Sequence, residues 1–399
     1  MIKQFIVGLA LMLTLGVSGA DSYAQSTSPN DLNTTLNVNS PLLEKPISFT
    51  VTLPPSYLEK NDKRYVVMFD FHPRSHAYLN GMHDWMSHNG EWPWLETIII
   101  TAPDGDEQLG KLKELAIEER GNTQLLDFMQ QALLPAIDKQ YRTNGFRIMN
   151  GFTGNAGLGL YTLINRPELF NAYFVASPVL SKDFAYVIKD APKKLAAMKG
   201  KPRFLFMSTS DSSFEQRQLE SFATMEQTIK DNAVPMLDYH IRRFDGTYYM
   251  TQPILATAYG IELLFNDIHQ VLTADSEISR QGPQVILDHY KYLSDDKYGF
   301  EVPATDSLIA LAEAETANGS LDAAEKGLAI FQLTVKSYPD SPTAHDALAA
   351  AYADAEEFEL AIKHQKLALD NTQHPFWINR YSERVNKYQA AIDERSNNL

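Results

Sequence analysis

Apolar positions along this chain follow two rhythms. From about residue 36 to residue 272, compact apolar runs at 47–53, 65–71, 97–101, 145–150, 172–176, 203–208 and 237–244 alternate with stretches of helical spacing, the last at 253–272. Short, nearly continuous apolar runs bounded by turn residues suit strands buried on both faces. Their alternation with helices predicts a mostly parallel sheet covered by helices on both sides. From about Ser307 the spacing is helical only. The segments 341–352 and 359–369 form one candidate helical pair, and a looser copy runs from 307–318 into 321–336.

The ends and the composition refine this picture. Met1-Ile2-Lys3 leads into an apolar stretch from Phe5 to Val17, followed by small residues at Ser18-Gly19-Ala20 and Ser22-Tyr23-Ala24. That is the pattern of a secretory signal spanning 1–24, too short to span a membrane comfortably, and it predicts a periplasmic or secreted protein with no membrane span after cleavage. A polar lead at 25–35 reads as disordered. The expected divisions are then a sheet domain at 36–272, a linker helix region at 273–306 and a helical region at 307–399. With 44% hydrophobic residues the chain can bury a sizeable core. It has no cysteine, so disulfides play no part. A formal charge of −15 argues against a nucleic-acid or anionic-membrane surface.

The informative motif is Gly151-Phe152-Thr153-Gly154-Asn155, set between a strand ending at Asn150 and a small-residue helix beginning Ala156-Gly157-Leu158-Gly159. Strand, sharp turn and helix are the context of a nucleophile elbow, Gly-x-Ser-x-Gly. With Val51-Thr52-Leu53-Pro54-Pro55, Ile98-Ile99-Ile100 and Ser177-Pro178 in the same order, the chain resembles the putative-esterase branch of the α/β-hydrolases, the siderophore esterase and S-formylglutathione hydrolase type. The resemblance implies an α/β-hydrolase fold, carboxylic ester hydrolysis without a cofactor, and a small ester or siderophore-like ligand. Segments 341–352 and 359–369 resemble a tetratricopeptide unit, with Leu348, Ala349, Tyr352, Ala361 and Ala368 at its packing positions. That likeness implies a protein partner on the C-terminal helices.

Against the resembling family, the site positions are degenerate. Thr153 stands for the serine and Asn155 for the second glycine. Tyr249 stands for the histidine, and a phenol is a poor proton acceptor near neutrality. Asp211 or Glu215 would be the acid. Gly154 keeps one oxyanion donor, whereas Pro73, near the other donor position, has no N–H. An inactive, ligand- or protein-binding homologue is one expectation. The other is an active ester hydrolase in which Thr153 uses a base from His72, His76, His83 or His88, which lie close to Asp70 and Asp84. No spacing among these histidines matches a metal motif, so no metal is expected. His72, His76 and Trp85 are candidate ligand contacts, with Trp92 and Trp94 nearby, and His240 reads as a strand-face residue.

Overall fold

The computed structural model describes residues 32–60, 62–88, 93–317 and 319–397. Eight strands, β1 (Asn33–Val38), β2 (Ile47–Thr52), β3 (Tyr65–Asp70), β4 (Thr97–Thr101), β5 (Thr143–Phe152), β6 (Ala172–Ala176), β7 (Arg203–Thr209) and β8 (Leu237–Arg243), form one sheet in the order β1-β2-β4-β3-β5-β6-β7-β8. Among them only β2 runs against its neighbours. Every pairing from β4 to β8 is parallel, and the central strands β3, β4 and β6 are buried on both faces. This is the mostly parallel, helix-covered sheet expected from the alternating pattern, and the α/β-hydrolase architecture that the resemblance implied.

The proposed signal, 25–31 of the polar lead, and Trp92 lie outside the described residues. The end of that lead requires a correction, because Asn33–Thr35 belong to β1 and are not disordered. Leu36 and Val38 alternate inward while Asn33, Thr35 and Asn37 face out. The ladder from Asn33↔Thr52 to Val38↔Ile47 gives their backbone groups partners.

Period-2 alternation sorts the sheet residues into two cores. Val67, Phe69, Ile98, Ile100, Val175 and Met207 face one side and meet helices Glu107–Glu118, Gly154–Asn165, Val187–Ala196 and Leu219–Asn232. Val66, Met68, Ile99, Phe146, Phe174 and Phe206 face the other and meet helices Ser75–His88 and Gln252–His269. This second core does not stop at the sheet domain. It continues through Ile286 and Tyr290 of helix Pro283–Tyr292, then Tyr298, Leu308, Phe331 and Leu348. Each large apolar side chain buried there contributes roughly 1.5–3 kcal/mol, so the linker and the first C-terminal helices are structural parts of the sheet's covering layer.

Five helices follow: Thr305–Thr316, Leu321–Ser337, Pro342–Asp354, Phe358–Asp370 and Pro375–Asn397. Ser320 and Ser341 cap two of them, accepting from Ala323 N and Ala344 N at 3.2 Å each. The last three helices share a small core of their own, built on Ala349, Ala361 and Tyr388. No helix among the described residues is long and apolar enough to cross a membrane.

Candidate active site

The elbow sits where β5 gives way to helix Gly154–Asn165. Thr153 adopts φ 57°, ψ −119°, a region that costs a β-branched residue of order 1–3 kcal/mol unless its surroundings hold it there. They do so through the backbone: Thr153 N donates to Ala176 O at 3.1 Å, and Thr153 O accepts from Gly157 N and Val179 N at 3.0 Å each. The close approach of helix to strand falls at Gly151, where an added Cβ would lie 2.7 Å from Asn155 O. This corrects the expectation that Asn155 fills a position needing glycine. Only the Asn155 backbone is crowded, and its side chain turns outward so that Oδ1 accepts from Lys113 Nζ at 3.3 Å. Among the described residues, Thr153 Oγ1 has no hydrogen-bond partner.

The positions expected for base and acid are arranged differently. Tyr249 opens a short turn, Tyr249–Thr251, ahead of helix Gln252–His269. Its ring packs 4.9 Å from Phe152 and stacks 5.4 Å from Phe214. Burial first, and then the charge of Glu215, hold its phenol above the usual range, so it is protonated and no base at neutral pH. Asp211, one of the two candidate acids, is exposed and accepts from Gly246 N at 2.7 Å. The buried carboxylate after β7 is Glu215, four residues on. It accepts from Ser177 Oγ at 2.5 Å, Ser210 Oγ at 3.1 Å, Ser210 N at 3.3 Å and the Thr209 hydroxyl. Four donors fill the acceptor sites of one carboxylate, leaving none for an incoming imidazole.

The oxyanion side has also changed. Gly154 opens its helix, so its N–H has no intrahelical acceptor. Across from it, Pro73 has no N–H, and His72 N donates at 2.7 Å to Asp70 Oδ1. Asp70 is buried and also accepts from Asn150 Nδ2 at 2.6 Å. Burial is the main cause that pushes its carboxyl up to about 6, opposed by those hydrogen bonds and by Lys113. Asn150 in turn meets Tyr78 Oη at 2.9 Å and Thr257 Oγ1 at 3.3 Å. A closed polar network therefore lies under the elbow.

The four histidines do not converge. His83 is buried, its Nε2 accepting from Thr97 N at 2.8 Å, and burial lowers its pKa to about 4. His76 Nε2 contacts Asn80 Nδ2 at 3.0 Å and Thr52 Oγ1 at 3.4 Å. His88 Nδ1 meets Ser87 Oγ at 2.7 Å, and its Nε2 lies 3.6 Å from Glu96. Only His72 lines the cavity beside the elbow, a space of about 290 Å³ walled also by Phe71, Pro73, Asp104, Lys113 and Asn155. Trp85 is 70% exposed on helix Ser75–His88, whereas Trp94 is fully buried and donates to Thr97 Oγ1 at 3.1 Å. His240 packs on Phe204 and lies 3.2 Å from Asp238, a strand-face histidine as its spacing suggested. Among the described residues no group of three or more candidate ligands could hold a metal ion.

With this geometry in place, the comparison with known proteins is direct. Residues 40–234 match the family described as "Putative esterase". That match covers just under half of the chain. A solved structure of an uncharacterised protein from Capnocytophaga ochracea DSM 7271 is similar at TM-score 0.65 and 15% identity, over 90% of this chain and 99% of that one. An IroE-like serine hydrolase from Shewanella oneidensis is similar at TM-score 0.55 and 18% identity, over 75% and 98%. At these identities the likeness is one of fold. No curated protein matches the chain. In this chain the elbow context of strand, turn and helix is present, while Tyr249, Glu215 and His72 each hold other partners.

Proposed function

We propose that this esterase-family protein is exported and has lost most or all ester hydrolysis, its cleft binding a ligand instead of turning one over. The observation that carries this reading is the isolation of Thr153. Its hydroxyl meets no base, Tyr249 is held between Phe152 and Phe214, and Glu215 is saturated by its own hydroxyl and amide donors. A weakly acidic hydroxyl without a base beside it is a poor nucleophile. The C-terminal helices, tetratricopeptide-like in sequence, serve as the surface for a protein partner. Export is tested by the intact mass of the secreted protein, which should correspond to a chain beginning at Gln25 or Asp21. Retained Met1 would overturn it.

One observation favours residual hydrolysis: Thr153 still occupies the strained conformation of a nucleophile, and His72 stands in the neighbouring cavity. Hydrolysis of short-chain aryl esters separates the two readings. Wild type should be no faster than Thr153→Ala, since background rates from binding and remaining donors survive loss of a triad. Thr153→Ser with Tyr249→His should exceed either single change, because nucleophile and base act as a unit. Wild-type turnover abolished by Thr153→Ala would sink the inactive reading and direct attention to His72.

A further inference from the structure

The cavity of about 290 Å³ beside the elbow holds opposite charges that do not pair. On one wall, Lys113 reaches over the Phe71 ring, with Nζ 4.7 Å from its centroid. Its two hydrogen bonds, to Asn155 Oδ1 at 3.3 Å and Phe71 O at 3.5 Å, are long and end on neutral oxygens. Among the described residues no carboxylate comes within ion-pair distance of it. Burial is the main reason its amine is held down to about 8, opposed by the charge of the buried Asp70, with which it makes no ion pair. On another wall stand Asp104, exposed at the rim, and Asp106, which caps helix Glu107–Glu118 by accepting from Leu109 N at 2.9 Å. Neither forms an ion pair among the described residues. His72 feels both charges, lowered by Lys113 and raised by Asp104 after the larger effect of burial.

We propose that this cavity binds a small zwitterion of amino-acid type, its carboxylate on Lys113 and its ammonium at Asp104 and Asp106. A plain anion would face two carboxylates, and a plain cation would face Lys113. Only a ligand carrying both charges satisfies both walls, and the apolar sides from Phe71, Pro73, Pro103 and Leu109 leave room for a short side chain. The volume lies just below the roughly 300–1,000 Å³ typical of ligand pockets, which limits the ligand to a small one. The inference stands whether or not Thr153 hydrolyses an ester, so ester assays and binding assays fail independently.

Titration calorimetry of the exported full-length protein with glycine, L-alanine and 4-aminobutyrate, against acetate and ethylamine, tests it. At least one amino acid should bind, with acetate and ethylamine at least tenfold weaker. Lys113→Met and the pair Asp104→Asn with Asp106→Asn should each weaken binding tenfold or more, the asparagine at 106 keeping the helix cap. Lys113→Arg, which keeps the cation, should stay within a few-fold of wild type and serves as the folding control. Acetate or ethylamine binding as tightly as the amino acids would make this a simple ion site and overturn the proposal. So would wild-type affinity in Lys113→Met, or no heat with any amino acid.

Discussion

The two sides of the cleft at the elbow differ in what holds their residues in place. On the nucleophile side, the backbone from Asn150 to Gly157 keeps its shape, including a threonine at φ 57°. On the base and acid side, Tyr249 has joined an aromatic stack and Glu215 a cluster of hydroxyls. The elbow persists because its shape is fixed by packing that has nothing to do with turnover: Gly151 lets the helix lie on the strand, and Gly157 lets Val179 O approach. Across the cleft, side-chain contacts set the arrangement instead: the Phe152 and Phe214 rings hold Tyr249, and hydroxyl and amide donors hold Glu215.

The largest effect should come from breaking the elbow. Gly151→Ala places a Cβ 2.7–2.9 Å from three backbone atoms of Asn155 and Ala156, and backbone cannot step aside as a flexible side chain can. A loss of about 3 kcal/mol or more in urea unfolding is expected. A loss below about 1 kcal/mol would mean that the elbow is not rigid and the contrast between the two sides fails.

Asp70, beneath the elbow, gives a pH-dependent test. Its carboxyl is raised to about 6 when folded, against an ordinary value of 3.8. Between those values the folded state holds a proton that the unfolded state has released, so stability falls as pH rises through that window and stays lower above it. The difference is on the order of 2–3 kcal/mol. Asp70→Asn should lack this component, so wild type should lose about that much more stability than the variant between pH 3.5 and pH 7. Parallel pH profiles for the two proteins would show that Asp70 titrates normally.

A smaller effect is expected across the cleft. Ser177→Ala removes the 2.5 Å hydrogen bond to Glu215 but leaves three other donors, so a cost of about 1.5–2 kcal/mol in the same unfolding measurement is expected. No change at all would mean that Glu215 is not the charged centre of that cluster.

Much of the scaffold was readable before the structure. The apolar runs fall on seven of the eight described strands, most plainly on β3, β4 and β6, which are buried on both faces and apolar almost throughout. β1 escaped because only Leu36 and Val38 mark it within a polar stretch. The elbow could be located from its flanking strand and helix, but Asn155 was misjudged: the crowding is between its carbonyl and Gly151, and carbonyls leave no trace in residue identity. Asp211 and Glu215 lie in one loop, and the choice between them rests on which one is buried. That depends on Ser177, which follows β6, and on Thr209 at the end of β7. Lys113 sits in the middle of helix Glu107–Glu118, and nothing local distinguishes it from a solvated lysine. Its isolation is created entirely by the tertiary fold.

The second core of the sheet, shared with residues far along the chain, bears on synthesis. Phe174 and Phe206 leave the ribosome well before Tyr298, Phe331 and Leu348, which help to close the same layer. At 5–20 residues per second, the stretch from the end of helix Gln252–His269 to Leu348 takes roughly 4–16 s to appear. During that interval the nascent sheet carries an incompletely covered apolar face, a surface that a chaperone or an export factor could hold before the helices arrive.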